Sequence, residues 1–138
     1  MGDWYEVGIT LGLGLAAGVL LVGLLAGTRY GLAGSLIGAV AIGLVAGLLV
    51  RGWIGVGGGV VGGLVGAVSA WLIVRGALSS GGTRGGTAVL VAGAAVAIAC
   101  LSLIPAVGYV LAVMLPAVAL RRARQEPERY AGLRTLSK

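Results

Sequence analysis

The chain contains no histidine, no asparagine and no phenylalanine, and its only cysteine is Cys100. Without histidine a Ser/His/Asp catalytic arrangement is impossible, and one cysteine leaves no plausible set of ligands for zinc or iron. One cysteine also excludes an intrachain disulfide framework. Because Cys100 stands in an apolar run with no base or cation near it in sequence, we expect a small buried hydrophobic side chain rather than a reactive thiol.

Acidic residues are also scarce, since only four are present and all lie near the termini: Asp3, Glu6, Glu126 and Glu128. Ionisable groups inside apolar spans are the usual marks of proton relays and ion-coupled transport. Their absence argues against a self-sufficient pump or secondary transporter, although it leaves room for a passive pore formed by several copies. We therefore expect no enzymatic activity, no cofactor and no metal.

What the chain has in abundance is apolar residues, which make up 59% of its 138 positions against 10% charged residues, with a mean hydropathy of +1.09. This composition is too apolar for a soluble protein, and the length fits one domain. The sequence predicts an all-α integral membrane protein. The net charge of +6 resides mostly in the last 18 residues, so it bears on membrane topology first, and no nucleic-acid partner is expected.

Three apolar segments are long enough to cross a bilayer as helices: residues 7–27, 31–50 and 53–74. Arg29 and Arg51 stand in the very short turns between them, which makes consecutive helices antiparallel. Trp53 and Trp71 are about 27 Å apart along a helix and would lie at the two membrane interfaces. The Gly/Ser-rich residues 76–87 are predicted to form the one flexible polar loop.

The apolar residues 88–120 are too many for one span, and Pro105 and Gly108 interrupt them. Either one long kinked helix gives four spans, or a hairpin of shorter helices over 88–104 and 106–120 gives about five. One crossing would place seven basic residues on the side of the C-terminus and three opposite, whereas a hairpin would place nine there and one opposite. The positive-inside rule favours the hairpin. The fold expected is a glycine-rich multipass bundle of three full spans and a broken apolar pair, covering residues 1–120.

The third span carries two ladders of small residues when it is projected as a helix. They are Gly55, Gly59, Gly63 and Ala67, and Gly58, Gly62, Gly66 and Ala70. Small residues let membrane helices pack closely, and two adjoining ladders indicate two partner helices. We therefore place this helix at the centre of the bundle, with its valine face toward lipid. The alternative is that the triplet at 57–59 breaks the helix and lines a cavity.

The third span also contains a formal G-x-G-x-x-G match at residues 57–62. A dinucleotide-binding fingerprint needs a preceding strand in a βαβ unit and an acidic residue about 20 positions later. Neither is present here. The motif is rejected.

A basic tail follows the apolar region at residues 121–138. It contains six basic residues, for which we predict a role in lipid contact or topology: Arg121, Arg122, Arg124, Arg129, Arg134 and Lys138. Such a segment is suited to anionic lipid at the cytoplasmic surface. The simpler interpretation is that these residues only fix the orientation of the chain. Both place the tail in the cytoplasm and the bundle in the inner or plasma membrane.

The function expected from these features is that of a non-catalytic scaffold or accessory subunit. Its glycine-zipper helix faces would pack against a second copy or a larger membrane protein, with the lipid bilayer around them. One alternative is a homo-oligomeric channel or permeation protein. The other is a membrane protein that interacts with anionic lipid.

Overall fold

The computed structural model describes residues 2–25 and 27–134, with the side chains of these residues except 105 and 126–134. Over these ranges the chain is all-helical and has no strand. Five helices follow one another: α1 (Asp3–Leu25), α2 (Gly31–Arg51), α3 (Trp53–Ser79), α4 (Arg84–Ser102) and α5 (Pro105–Arg134). Each contains a segment long and apolar enough to cross a membrane. The predicted all-α fold with five helices is confirmed.

The connections between the helices are short. Gly52 alone joins α2 to α3. Its φ of +61° reverses the chain, and glycine adopts this conformation without the steric cost that a side chain would bring. The predicted polar loop over 76–87 shrinks to residues 80–83, because α3 runs on to Ser79 and α4 begins at Arg84. Thr83 caps α4, since its Oγ1 accepts a hydrogen bond from the Gly86 N–H at 3.3 Å. This cap stabilises a first turn that is rich in glycine.

Neighbouring residues show how the helices run. Successive positions of α3 lie beside successive positions of α1, so these helices are parallel, whereas α2 and α4 run in the opposite direction. The start of α5 contacts the start of α1, since the Tyr109 hydroxyl donates to the Trp4 carbonyl at 2.9 Å. The far part of α5 contacts the end of α3. The bundle is therefore up-down throughout, and its chain crosses from one end to the other five times.

The two ends of the bundle differ in charge. We call the end that holds Asp3, Glu6 and Arg51 the acidic end. The opposite end, called the basic end, holds six arginines: Arg29, Arg75, Arg84, Arg121, Arg122 and Arg124.

The hairpin interpretation of residues 88–120 is confirmed, and the kinked single helix is wrong. The helices α4 and α5 are separated at residues 103–104, where proline begins α5 because it lacks the N–H that would continue α4. The two arms make little contact with each other, and each packs on α1 instead. The second arm is also longer than the predicted 106–120, because α5 continues as one helix to Arg134.

The central helix is α1, and the prediction that gave this place to α3 is wrong. α1 packs against all four other helices, and 61% of its apolar segment is buried, against 44% for α3. α3 lies mainly against α1, α2 and α5, and one of its faces stays free. The side chains of Val61, Leu64 and Val68 on that face are exposed. The two ladders of α3 face α1 and α2. The five glycines of α1 lie on several of its sides and allow close approach by α3, α4 and α5.

Candidate functional site

The most closely packed region of the molecule is the contact between α3 and α1. It includes Gly58, Gly62 and Gly66, all buried against the backbone or a short side chain of α1. A Cβ placed on Gly62 would lie 2.9 Å from the carbonyl carbon of Leu11 and 3.1 Å from its Cα. One on Gly66 would lie 2.9 Å from the Cα of Leu15. These distances are too short for any side chain.

The second glycine-rich contact joins α3 to α2. A Cβ on Gly63 would lie 2.7 Å from the carbonyl oxygen of Ala39, and one on Gly59 would lie 2.8 Å from the carbonyl carbon of Gly43. Gly55 meets the backbone of Gly47 in the same way one turn further along. The two ladders therefore contact different helices, one facing α2 and the other facing α1.

Two alanines complete the predicted ladders. Ala67 and Ala70 are buried in a core cluster with Val19, Val22 and Val74. Glycines of α1 reach the ladder that faces α2 as well, since a Cβ on Gly18 would lie 2.6 Å from the backbone nitrogen of Ala67. All eight predicted packing residues thus face other helices of the same chain. α3 stays helical through residues 57–59, so the triplet does not break it.

Four hydroxyl side chains are buried among the described residues, those of Thr10, Ser35, Ser69 and Ser102, and three of them bond within their own helices. The hydroxyls of Thr10, Ser35 and Ser102 are buried and donate to the carbonyl three residues earlier, at 3.0, 2.9 and 2.7 Å. Such bonds satisfy the hydroxyl without a ligand. Among the described residues no three His, Cys, Asp or Glu side chains are grouped to hold a metal ion.

A cluster of ion pairs lies at the acidic end of the bundle, and these pairs were not predicted from the sequence. The Arg51 guanidinium contacts the carboxylates of both Asp3 and Glu6. The two acids are three residues apart, which places them on one face of α1. A signal was present in the sequence, because an up-down bundle brings residues 3–6 and the α2–α3 turn to the same end. The cluster joins the start of α1 to that turn.

The basic end has a different character, since the six arginines that define it are all exposed. Three of the predicted tail residues are among them: Arg121, Arg122 and Arg124. Arg129 and Arg134 belong to α5, with side chains outside the described set, and Lys138 lies outside the described residues. The one arginine of the acidic end is paired with carboxylates, so the unbalanced positive charge of the described side chains is confined to the basic end.

Aromatic rings and the cysteine lie on the outer surface. Trp4 and Trp53 are exposed at the acidic end, by 84% and 87%, and Tyr30 is exposed at the basic end. The expectation that Cys100 is buried is wrong, because α4 packs on α1 through its other face and leaves this side chain outside. An apolar run in a membrane protein supplies lipid-facing positions as readily as core positions.

No protein-family model, curated protein or solved structure matches this chain at a significant level.

Proposed function

We propose that this chain is a five-span protein of the inner or plasma membrane that acts as a non-catalytic scaffold or accessory subunit. Its C-terminal tail lies in the cytoplasm. The observation that carries the proposal is an interior filled by backbone-to-backbone contact between α1, α2 and α3, in which the hydroxyls of Thr10, Ser35 and Ser102 bond to their own helices. Such an interior favours a rigid body over a site of chemistry.

Support for membrane insertion comes from the outer surface. Large apolar side chains are exposed on every helix, among them Ile37, Val68, Leu90 and Val113. In water such a surface would aggregate, whereas in a bilayer it is solvated by lipid. Exposed tryptophan and tyrosine side chains at the ends match the interfacial preference of these residues.

Support for the orientation comes from the charge of the two ends. The positive-inside rule counts basic residues in short loops close to the spans. All described arginines except Arg51 are at the basic end, and Arg51 is paired with two carboxylates. We therefore place the basic end in the cytoplasm and the N-terminus on the opposite side.

The occupied glycine ladders change how a partner would bind. Because α1 and α2 cover the ladders of α3, a partner would contact the outer faces of the bundle instead. Those faces are apolar, which favours a helix of another membrane protein or of a second copy over a water-filled pore between copies. A homo-oligomeric channel is therefore the less favoured alternative, and reconstituted protein should pass no ions.

Two measurements test the proposal. Reporter fusions at the two termini should lie on opposite sides of the membrane, with the C-terminal reporter in the cytoplasm. Purification in a mild detergent should yield the chain with a second copy or a co-purifying membrane protein. Both termini on one side would overturn the five-span topology, and a monodisperse monomer without a partner would overturn the scaffold function.

A further inference from the structure

A cavity of about 440 Å³ opens at the basic end, between the α1–α2 turn and the last turns of α3. Its lining residues come from both elements: Gly27, Thr28 and Arg29 from the turn, and Trp71, Val74, Arg75 and Leu78 from α3. From the sequence, lipid contact was predicted for the C-terminal tail alone, so these residues had no predicted role. The cavity is distinct from the packed interior described above.

Two arginines, Arg29 and Arg75, are among the residues that line this cavity, and no acidic residue is. The guanidinium carbon of Arg29 lies 5.9 Å from the centroid of the neighbouring Tyr30 ring. A third arginine is close, since the Arg84 side chain packs against Gly27: a Cβ there would lie 2.7 Å from the Arg84 Nε. Like charges brought together at one cavity favour an anion between them. Guanidinium groups bind phosphate oxygens in pairs of parallel hydrogen bonds. The charge of the cavity therefore selects a phosphate.

The remaining walls indicate what the phosphate is attached to. Trp71 lies one helical turn deeper in the bundle than Arg75, which is about 6 Å along the axis. Val74 is buried and forms the apolar floor beside Trp71. The Thr28 hydroxyl already donates to the Leu25 carbonyl at 2.9 Å, so the two arginines supply the free donors. The arginines at the opening of the cavity suit the charged headgroup of a lipid, and the apolar wall below them suits its hydrocarbon chain.

We propose that this cavity binds one anionic glycerophospholipid of the cytoplasmic leaflet. Arg29 and Arg75 hold its phosphodiester, and the upper part of an acyl chain lies against Trp71. The proposal rests on the membrane insertion proposed above. The bound lipid bridges the α1–α2 turn and α3, and it makes the stability of this end depend on the lipid composition.

The experiment uses Trp71 as a reporter of the lipid beside it. Trp4 and Trp53 are exposed at the other end, so both are replaced by phenylalanine, which leaves Trp71 as the one tryptophan. The full chain is reconstituted in phosphatidylcholine vesicles, and its fluorescence quenching is measured with brominated phosphatidylglycerol or brominated phosphatidylcholine at equal mole fraction. Each arginine near an anionic headgroup is worth about a fivefold change in binding, so we expect a preference for phosphatidylglycerol on the order of tenfold.

The matched control removes the same charge from the same end. Arg29→Gln with Arg75→Gln should bring the preference close to one, whereas Arg121→Gln with Arg124→Gln should preserve most of it. The proposal is overturned if both double variants lose the preference equally, because the effect would then be diffuse surface charge. It is also overturned if the parent shows no preference.

Two further outcomes separate other causes. Displacement of the lipid by excess inorganic phosphate at constant ionic strength would show a site for the free anion and overturn the lipid assignment. If neither brominated lipid quenches Trp71, the side chain does not face lipid and the proposed acyl-chain contact is refuted, whereas the terminal reporters described above test the insertion independently. Quenching by both lipids equally leaves the insertion intact and refutes the phospholipid site alone.

Discussion

Gly62 and Gly57 of α3 provide a matched pair of substitutions that separates packing from helix propensity. A Cβ on Gly62 would meet the backbone of Leu11, 2.9 Å from its carbonyl carbon and nearer still to its oxygen. A Cβ on Gly57 would have no atom within 4 Å. Both residues lie in the same helix, five positions apart. Replacing each with alanine therefore adds the same methyl group to two different environments.

The expected magnitudes follow from these distances. Alanine favours a helix over glycine by about 1 kcal/mol, so Gly57→Ala should be neutral or stabilising by up to that amount. Carbon atoms pack best at about 3.5–4.0 Å, so Gly62→Ala requires α1 and α3 to separate by roughly 0.5–1 Å or more. Overpacking of this kind costs about 1–3 kcal/mol, and a backbone cannot rotate away as a side chain does. Because the gain in helix propensity is common to both variants, we expect them to differ by the overpacking cost alone, about 2 kcal/mol within a range of 1–3 kcal/mol.

The assay is thermal unfolding in a mild detergent, followed by far-ultraviolet circular dichroism, for the parent and both variants. A difference of about 2 kcal/mol corresponds to a gap in Tm of roughly 5–10 °C for a chain of this length. Val61→Leu serves as a second control, since Val61 is 52% exposed on the free face of α3. Its free energy of unfolding should change by less than about 0.5 kcal/mol.

One result would refute the reasoning. If Gly62→Ala unfolds at the same temperature as Gly57→Ala, the backbone of α1 does not lie against Gly62. The glycines of α3 would then reflect composition and not close helix contact.

Three more predictions follow from other contacts. Gly108→Ala should destabilise the docking of α5 by about 1–3 kcal/mol, measured as a lower Tm, because its Cβ would meet the carbonyl group of Gly8; an unchanged Tm would contradict this contact. Arg51→Gln should cost at most about 1 kcal/mol, since the ion pairs are partly exposed, and should leave the orientation of terminal reporters unchanged, because the basic end still carries the excess charge; an inverted chain would refute this view of topology. Cys100 should resist a charged, impermeant maleimide in intact membranes and react with it once the protein is unfolded in a denaturing detergent, because lipid around this face excludes the water that a reactive thiolate needs; labelling in intact membranes would place this face in water.

The positions of the helices could be predicted well because the signals are local. Long apolar runs with arginine at their ends require spans in a chain with so few polar residues, and the proline at 105 divides a run that is too long for one. Helix ends were less predictable. Ser79 and Ser80 both donate to the Gly76 carbonyl, which stabilises the end of α3 inside a segment whose composition indicated a loop.

The sequence by itself determined the all-helical fold and favoured five helices over four, with most basic residues at one end, because hydropathy and alternation of direction need no tertiary contact. It also indicated that α3 has two small-residue faces, since these follow from helical periodicity. Only the tertiary structure decided which helices cover those faces and that α1 is more deeply buried than α3. Periodicity gives the faces of one helix at a time, whereas burial depends on where the other four helices pack. For the same reason only the fold brought Arg51 to the two carboxylates and placed Arg29, Arg75 and Trp71 around one cavity.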